Sequence, residues 1–205
     1  MKITYMPVGL YATNCYIAWD EETSNALVVD PGDCAEDILA IAENEGLSLR
    51  RILLTHGHFD HTGAVETLRE KTGAEVWIHR LDLDEEKSRG TLDLAGEYRF
   101  FDEGDTVSLD SMTLTVLSTP GHTPGSVCLV CEKDRVIFAG DTLFSGSCGR
   151  TDFEGGSWEE MERSLLRLYD LEGDYAVLPG HEALTRLDRE RRVNPMMQQA
   201  LRDLR

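Results

Sequence analysis

Four apolar runs in this chain end in the same way, and that repetition limits the possible folds more than any other feature. Ile52-Leu53-Leu54 leads into Thr55-His56-Gly57-His58-Phe59-Asp60-His61-Thr62-Gly63. The run at 112–118 leads into Pro120-Gly121-His122-Thr123-Pro124-Gly125, and the run at 135–139 into Gly140-Asp141-Thr142. The last, 175–178, leads into Pro179-Gly180-His181. Each is a strand-like segment that stops at a glycine-marked loop carrying histidine or aspartate. Loops held at strand ends by a sheet are where binding and catalytic groups usually sit. The pattern therefore calls for a sheet scaffold that brings four distant loops to one place.

Further strand patterns fall at 2–7, 11–19, 26–29, 76–78, 99–101, 106–109 and 126–132. Helical spacing appears at 35–45, with Ile38, Ile41 and Ala42 on one face and Gly46 at the stop. It appears again at 63–72, closed by Gly73, and from Trp158 to Tyr169. Two strand-rich halves, each with helices, predict an α/β or α+β domain over 1–205 with two packed sheets covered by outer helices.

The loop from His56 to His61 carries the densest chemistry. In extended backbone, residues two apart project to the same side, so His56, His58 and Asp60 converge, while His61 approaches from the start of a helix. Imidazole and carboxylate suit zinc, iron and manganese. The chain has six histidines, and five lie in the four loops. His79, near the end of a strand, is the expected bystander. A structural zinc site closes with four ligands rich in cysteine. Five histidines, two aspartates and no cysteine exceed one closed site and imply two ions in a catalytic centre.

Composition narrows the substrate. A net charge of -18 repels nucleic acid, whose binding depends on Lys and Arg displacing counterions, and it repels anionic membranes. No apolar run reaches the roughly 18–20 residues of a membrane helix, and no cleavable leader is expected at the start. Cytoplasmic location and a small-molecule partner are the expectations. Five cysteines, an odd number, point to free thiols. Cys128 and Cys131 fall in one strand pattern, where a spacing of three puts them on opposite faces as core thiols.

The motifs His-x-His-x-Asp-His, Pro-Gly-His-Thr-Pro-Gly-Ser, Gly-Asp-Thr-Leu-Phe and Pro-Gly-His, in this order, resemble the metallo-β-lactamase superfamily. The likeness runs from Asn14-Cys15-Tyr16 to Asn194-Pro195. It is strongest to short hydrolases related to glyoxalase II (hydroxyacylglutathione hydrolase), through Gly149-Arg150-Thr151-Asp152-Phe153 and Glu190-Arg191-Arg192-Val193-Asn194-Pro195. The resemblance implies a four-layer αβ/βα sandwich with two divalent ions at one edge, zinc first, with iron or manganese as alternatives. By position, one ion would take His56, His58 and His122, and the other Asp60, His61 and His181. Asp141 would bridge them, and Asp60 and Asp141 would be the catalytic carboxylates.

The implied reaction is cleavage of a thioester or ester by a hydroxide held between two ions. Cys148 and Ser145 could line the pocket but have no spare histidine to activate them as nucleophiles. The bridging aspartate argues against a zinc β-lactamase, a class that typically lacks it. Persulfide dioxygenases, which also carry Cys-Gly-Arg-Thr-Asp-Phe, are the competing resemblance; their single iron would fall on His56, His122 and Asp141. Full-length glyoxalase II has a helical C-terminal domain that supplies part of the glutathione site. Only a helical tail is expected after His181, which leaves Arg150 as the candidate substrate-binding cation.

Overall fold

A computed structural model describes residues 1–205, and its strands form two six-stranded sheets. The first follows chain order: β1 (Lys2–Val8), β2 (Thr13–Trp19), β3 (Asn25–Val29), β4 (Ser48–Leu53), β5 (Glu75–Ile78) and β6 (Arg99–Phe100). Its first three strands are antiparallel, and β3 through β6 run parallel. The second contains β7 (Thr106–Leu109), β8 (Met112–Ser118), β9 (Val127–Cys131), β10 (Val136–Gly140), β11 (Ala176–Pro179) and β12 (Thr185–Arg186). Only β10 and β11 pair in parallel there.

The period of two along the strands builds the layers. On β2 and β3, Cys15, Ile17, Ala26 and Val28 face outward into one core, under α1 (Ala35–Asn44) and α3 (Val65–Thr72). The residues between them, Tyr16, Ala18, Leu27 and Val29, face inward. They meet Val127, Leu129, Cys131, Val136 and Phe138 from β9 and β10 of the second sheet. The outer face of that sheet, including Cys128, Val130, Ile137 and Ala139, packs under α5 (Trp158–Tyr169), α6 (Leu187–Val193) and α7 (Pro195–Leu204). The result is the four-layer αβ/βα sandwich. Each fully buried Leu, Ile or Val contributes about 1.5–3 kcal/mol relative to exposure. Cys128 and Cys131 do face opposite cores, and all five cysteines are free thiols.

Several expected boundaries move. The strand expected over 11–19 begins at Thr13, because Gly9 to Ala12 form a turn closed by Ala12 N–H to Gly9 O. The helix expected over 63–72 begins later, at Val65, as α3, and a separate short helix, α2 (Phe59–Thr62), precedes it. Between them, a Cβ on Gly63 would lie 2.2 Å from the Gly32 carbonyl oxygen, so two loop backbones cross there in contact. Between β5 and β6 the chain adds a 3-10 turn, Arg80–Asp82, and α4 (Glu85–Ser88), neither of which periodicity signalled. No helix is long and apolar enough to cross a membrane.

Candidate metal centre

The loops that follow β4, β8, β10 and β11 meet at one edge of the sandwich. His56 follows β4, and His58, Asp60 and His61 occupy the start of α2 and the residue before it. His122 lies between β8 and β9, Asp141 directly after β10, and His181 just beyond β11. Their donor atoms fall into three overlapping groups: His56, His58 and His122; Asp60, His61 and His181; and His56, His61 and Asp141. Within each group the donors lie within 4.8 Å of one another. All seven predicted residues are thus brought together. His79 is elsewhere, accepting from Leu81 N–H and lying 3.4 Å from Asp102.

Asp141 stands between the two histidine groups. One carboxylate oxygen is 3.5 Å from His61 Nε2, and the other is 3.4 Å from His122 Nε2 and 3.5 Å from His181 Nε2. Asp60 faces His181 Nε2 at 3.4 Å. Close approach depends on Gly180, where a Cβ would sit 2.2 Å from Asp141 Oδ1 and 2.7 Å from His61 Cε1.

Outer contacts aim the imidazoles inward. His122 Nδ1–H donates to the Arg150 carbonyl at 2.7 Å, which leaves Nε2 as the lone-pair nitrogen toward the cluster. His181 Nδ1 is 3.2 Å from the Tyr11 carbonyl, and His61 Nδ1 is 3.1 Å from the Asp30 carboxylate. Asp30 also takes Thr55 N–H at 2.8 Å and Thr55 O–H at 2.7 Å, locking the exit of β4 where His56 begins. Asp82, fully buried, accepts Gly57 N–H at 3.0 Å, Gly125 N–H at 2.9 Å and the Thr123 hydroxyl. Sequence reasoning missed both Asp30 and Asp82. For Asp30, the turn Asp30-Pro31-Gly32 at a strand end was the signal on offer; Asp82 had none.

This donor set fits cations. His56 Nε2 and Asp141 Oδ1 are buried with no hydrogen-bond partner, a costly state for protein groups left to themselves. Facing ring nitrogens approach to 2.9 Å at His58 and His122 and to 3.3 Å at His61 and His181. Burial, with charge on neighbouring histidines, pushes the His56 imidazole well below its ordinary value, and pushes His58 down to about 4. Burial also acts to lower His61, but Asp141, Asp30 and Asp60 outweigh it and raise that group to about 9. His181 likewise rises against burial, through Asp60 and Asp141. The Asp60 carboxyl is held below its usual range because its bond to His181 and the charge of His61 overcome burial.

The cluster opens into a cleft of about 700 Å³ whose walls include Tyr11, Phe59, Phe144, Phe153 and Cys148. Burial raises the Cys148 thiol to about 11, so it stays protonated at neutral pH. Ser145 does not line the cleft; its hydroxyl accepts from Arg189. Arg150 lines it, with both guanidinium bonds at 2.7 Å spent on Asp152. The Glu190 to Asn194 motif holds one wall. Glu190 accepts Gly146 N–H, and Asn194 donates to the carbonyls of Phe144 and Ser147.

Two sheets packed face to face, with histidines and carboxylates gathered at one edge, form a candidate metal centre on an αβ/βα sandwich. The Metallo-beta-lactamase superfamily model matches residues 8–181, and the chain belongs to that superfamily. It is 36% identical to the hydroxyacylglutathione hydrolase GloC of Haemophilus influenzae, over 96% of this chain and 98% of that one. A solved B3 metallo-beta-lactamase, BLEG-1, is 31% identical with a TM-score of 0.86, covering 96% of this chain and 99% of its own. A protein solved in a di-iron-bound form, TTHA1623, is 36% identical with a TM-score of 0.83, covering 94% and 98%.

Proposed function

We propose that this hydrolase cleaves thioesters, in the manner that the name of its Haemophilus influenzae relative describes, with two divalent ions at the seven-residue cluster. The observation that carries the reading is the placement of Asp141, within 3.5 Å of ring nitrogens from both histidine groups. One carboxylate can balance charge between two neighbouring cations there. His56, His58 and His122 would hold one ion, and Asp60, His61 and His181 the other. When bound, such ions supply Lewis acidity toward a carbonyl oxygen and toward water.

The chain's own residues do the rest. Asp60, kept ionised beside His181, supplies negative charge at the cleft floor. Phe59, Phe144 and Phe153 give apolar walls for the acyl and thiol portions. No side-chain nucleophile competes, since the Cys148 thiol is held protonated. Arg150, at the rim, is a candidate to meet the substrate.

The test is metal analysis of purified protein beside turnover of thioesters, lactones, β-lactams and persulfides. Two ions per chain with thioesters hydrolysed fastest is the expected result. Iron bound in the 36% identical TTHA1623 is compatible with one rival, an iron-dependent oxidation of persulfides at a single-iron site. One iron per chain and oxygen uptake with a persulfide would replace the hydrolytic reading.

A further inference from the structure

The cleft of this strongly acidic protein contains three cationic side chains, Lys87, Arg89 and Arg150. Two of them are engaged. Arg150 makes its bidentate pair with Asp152. Lys87 donates to the Leu81 carbonyl at 3.2 Å and lies 4.0 Å from Asp84. Arg89 has neither an ion pair nor a hydrogen bond; its one close partner is the Phe59 ring, 4.2 Å from the guanidinium carbon.

That partner fixes where the charge sits. Phe59 lies between His58 and Asp60, one residue from each proposed metal group. A ring beneath the guanidinium holds its plane and leaves the edge N–H donors directed away from the stack. The segment itself is anchored. Arg89 adopts a left-handed backbone, φ 49°, and the next residue but one, Thr91, joins its hydroxyl to Thr62 at the end of α2. An exposed, pre-placed cation beside the reacting centre, without a carboxylate of its own, matches a carboxylate on the ligand.

We infer that Arg89 is a specificity-determining residue of the cleft, one that binds a carboxylate of the thioester remote from the scissile bond. This rests on the thioester reading above. Arg89 would hold the carboxylate through its free N–H edge, with Lys87 adding charge from the same segment. Arg150, neutralised by Asp152, would contribute less.

The experiment uses metal-loaded protein and a matched pair, S-lactoylglutathione and its diethyl ester, which lacks the two carboxylates. Wild type should favour the acid through a lower KM. In Arg89→Gln the ratio of the diester KM to the acid KM should fall by about tenfold, in line with loss of one charge-assisted hydrogen bond. Arg89→Lys should recover part of it, and Arg150→Gln should change the ratio less than Arg89→Gln does. An unchanged ratio in Arg89→Gln, or a larger effect from Arg150→Gln, would overturn the inference. If wild type hydrolyses neither compound, the thioester reading fails. Calorimetric binding of S-methylglutathione then decides the role of Arg89: weaker binding to Arg89→Gln supports it as a carboxylate site, and equal binding removes it.

Discussion

The Asp82 carboxylate accepts the backbone N–H of Gly57 at 3.0 Å, from a position with no solvent exposure. Through the same carboxylate it holds Gly125 N–H and the Thr123 hydroxyl, so one side chain ties the His56–His58 loop to the loop of His122. Removing it strands buried donors on both loops, each costing about 1–3 kcal/mol. Asp82→Ala should therefore lower the unfolding free energy by about 3 kcal/mol or more, and Asp82→Asn by less. Because both loops carry proposed ligands, metal affinity should fall about 10–100-fold. Chelator competition reads the affinity and denaturant unfolding the stability. A destabilised variant that keeps wild-type metal affinity would show that Asp82 supports the fold alone.

Asp82 also shows where the sequence stops being readable. It lies in Leu81-Asp82-Leu83-Asp84-Glu85-Glu86, which looks like an acidic surface run, and its role exists only because a 3-10 turn after β5 tucks it behind two loops from elsewhere. Such partners are set by tertiary contact, not by spacing. The strands were legible for the opposite reason. Buried on both faces, β3, β9 and β10 are continuous apolar runs, legible from composition to within one residue at each end. The short helix α2 was hidden because one turn of helix is too short to show a periodic pattern. The requirement at Gly63 is the Gly32 carbonyl packed against it. The convergence of the seven proposed ligands was legible because each stands beside a strand end with a glycine nearby. Arg89 was not, since its meaning lies in the carboxylate it lacks.

Asp141→Ala should lower occupancy of both ions more than loss of any one histidine does. Its two oxygens face His61, His122 and His181 at 3.4–3.5 Å, so both groups lose the charge that balances them. Elemental analysis after dialysis is the measurement. Two ions retained at full activity would end the bridging assignment.

His58→Ala and His79→Ala form a contrast. His58 Nδ1 faces His122 Nε2 at 2.9 Å inside the cluster, whereas His79 holds only Leu81 N–H and neighbours Asp102. His58→Ala should cut metal content and turnover sharply. His79→Ala should leave both near wild type and cost about 1 kcal/mol of stability, the scale of one hydrogen bond. Similar metal loss in the two variants would mean the histidines have been sorted wrongly.

Metal uptake should release protons from one side of the cluster and not the other. A ligand nitrogen must be unprotonated to bind a cation. In the metal-free protein His58 sits near 4 and His56 well below its ordinary value, so both are already neutral at pH 7.5. His61, raised to about 9, is protonated there, so filling the group of Asp60, His61 and His181 must expel its proton. The sign for stability follows. A folded value above the unfolded value of about 6.5 gives stabilisation that is complete below that pH and disappears as pH rises through about 9. The chelator-treated protein should thus lose thermal stability between pH 6.5 and 9, while metal affinity at that group increases over the same range. Calorimetry of zinc uptake at pH 7.5, in buffers of different ionisation enthalpy, should report release of at least one proton. Asp30→Asn removes one of the carboxylates that raise His61 and should reduce that release. Uptake with no proton release at pH 7.5 would show that His61 is neutral before the metal arrives.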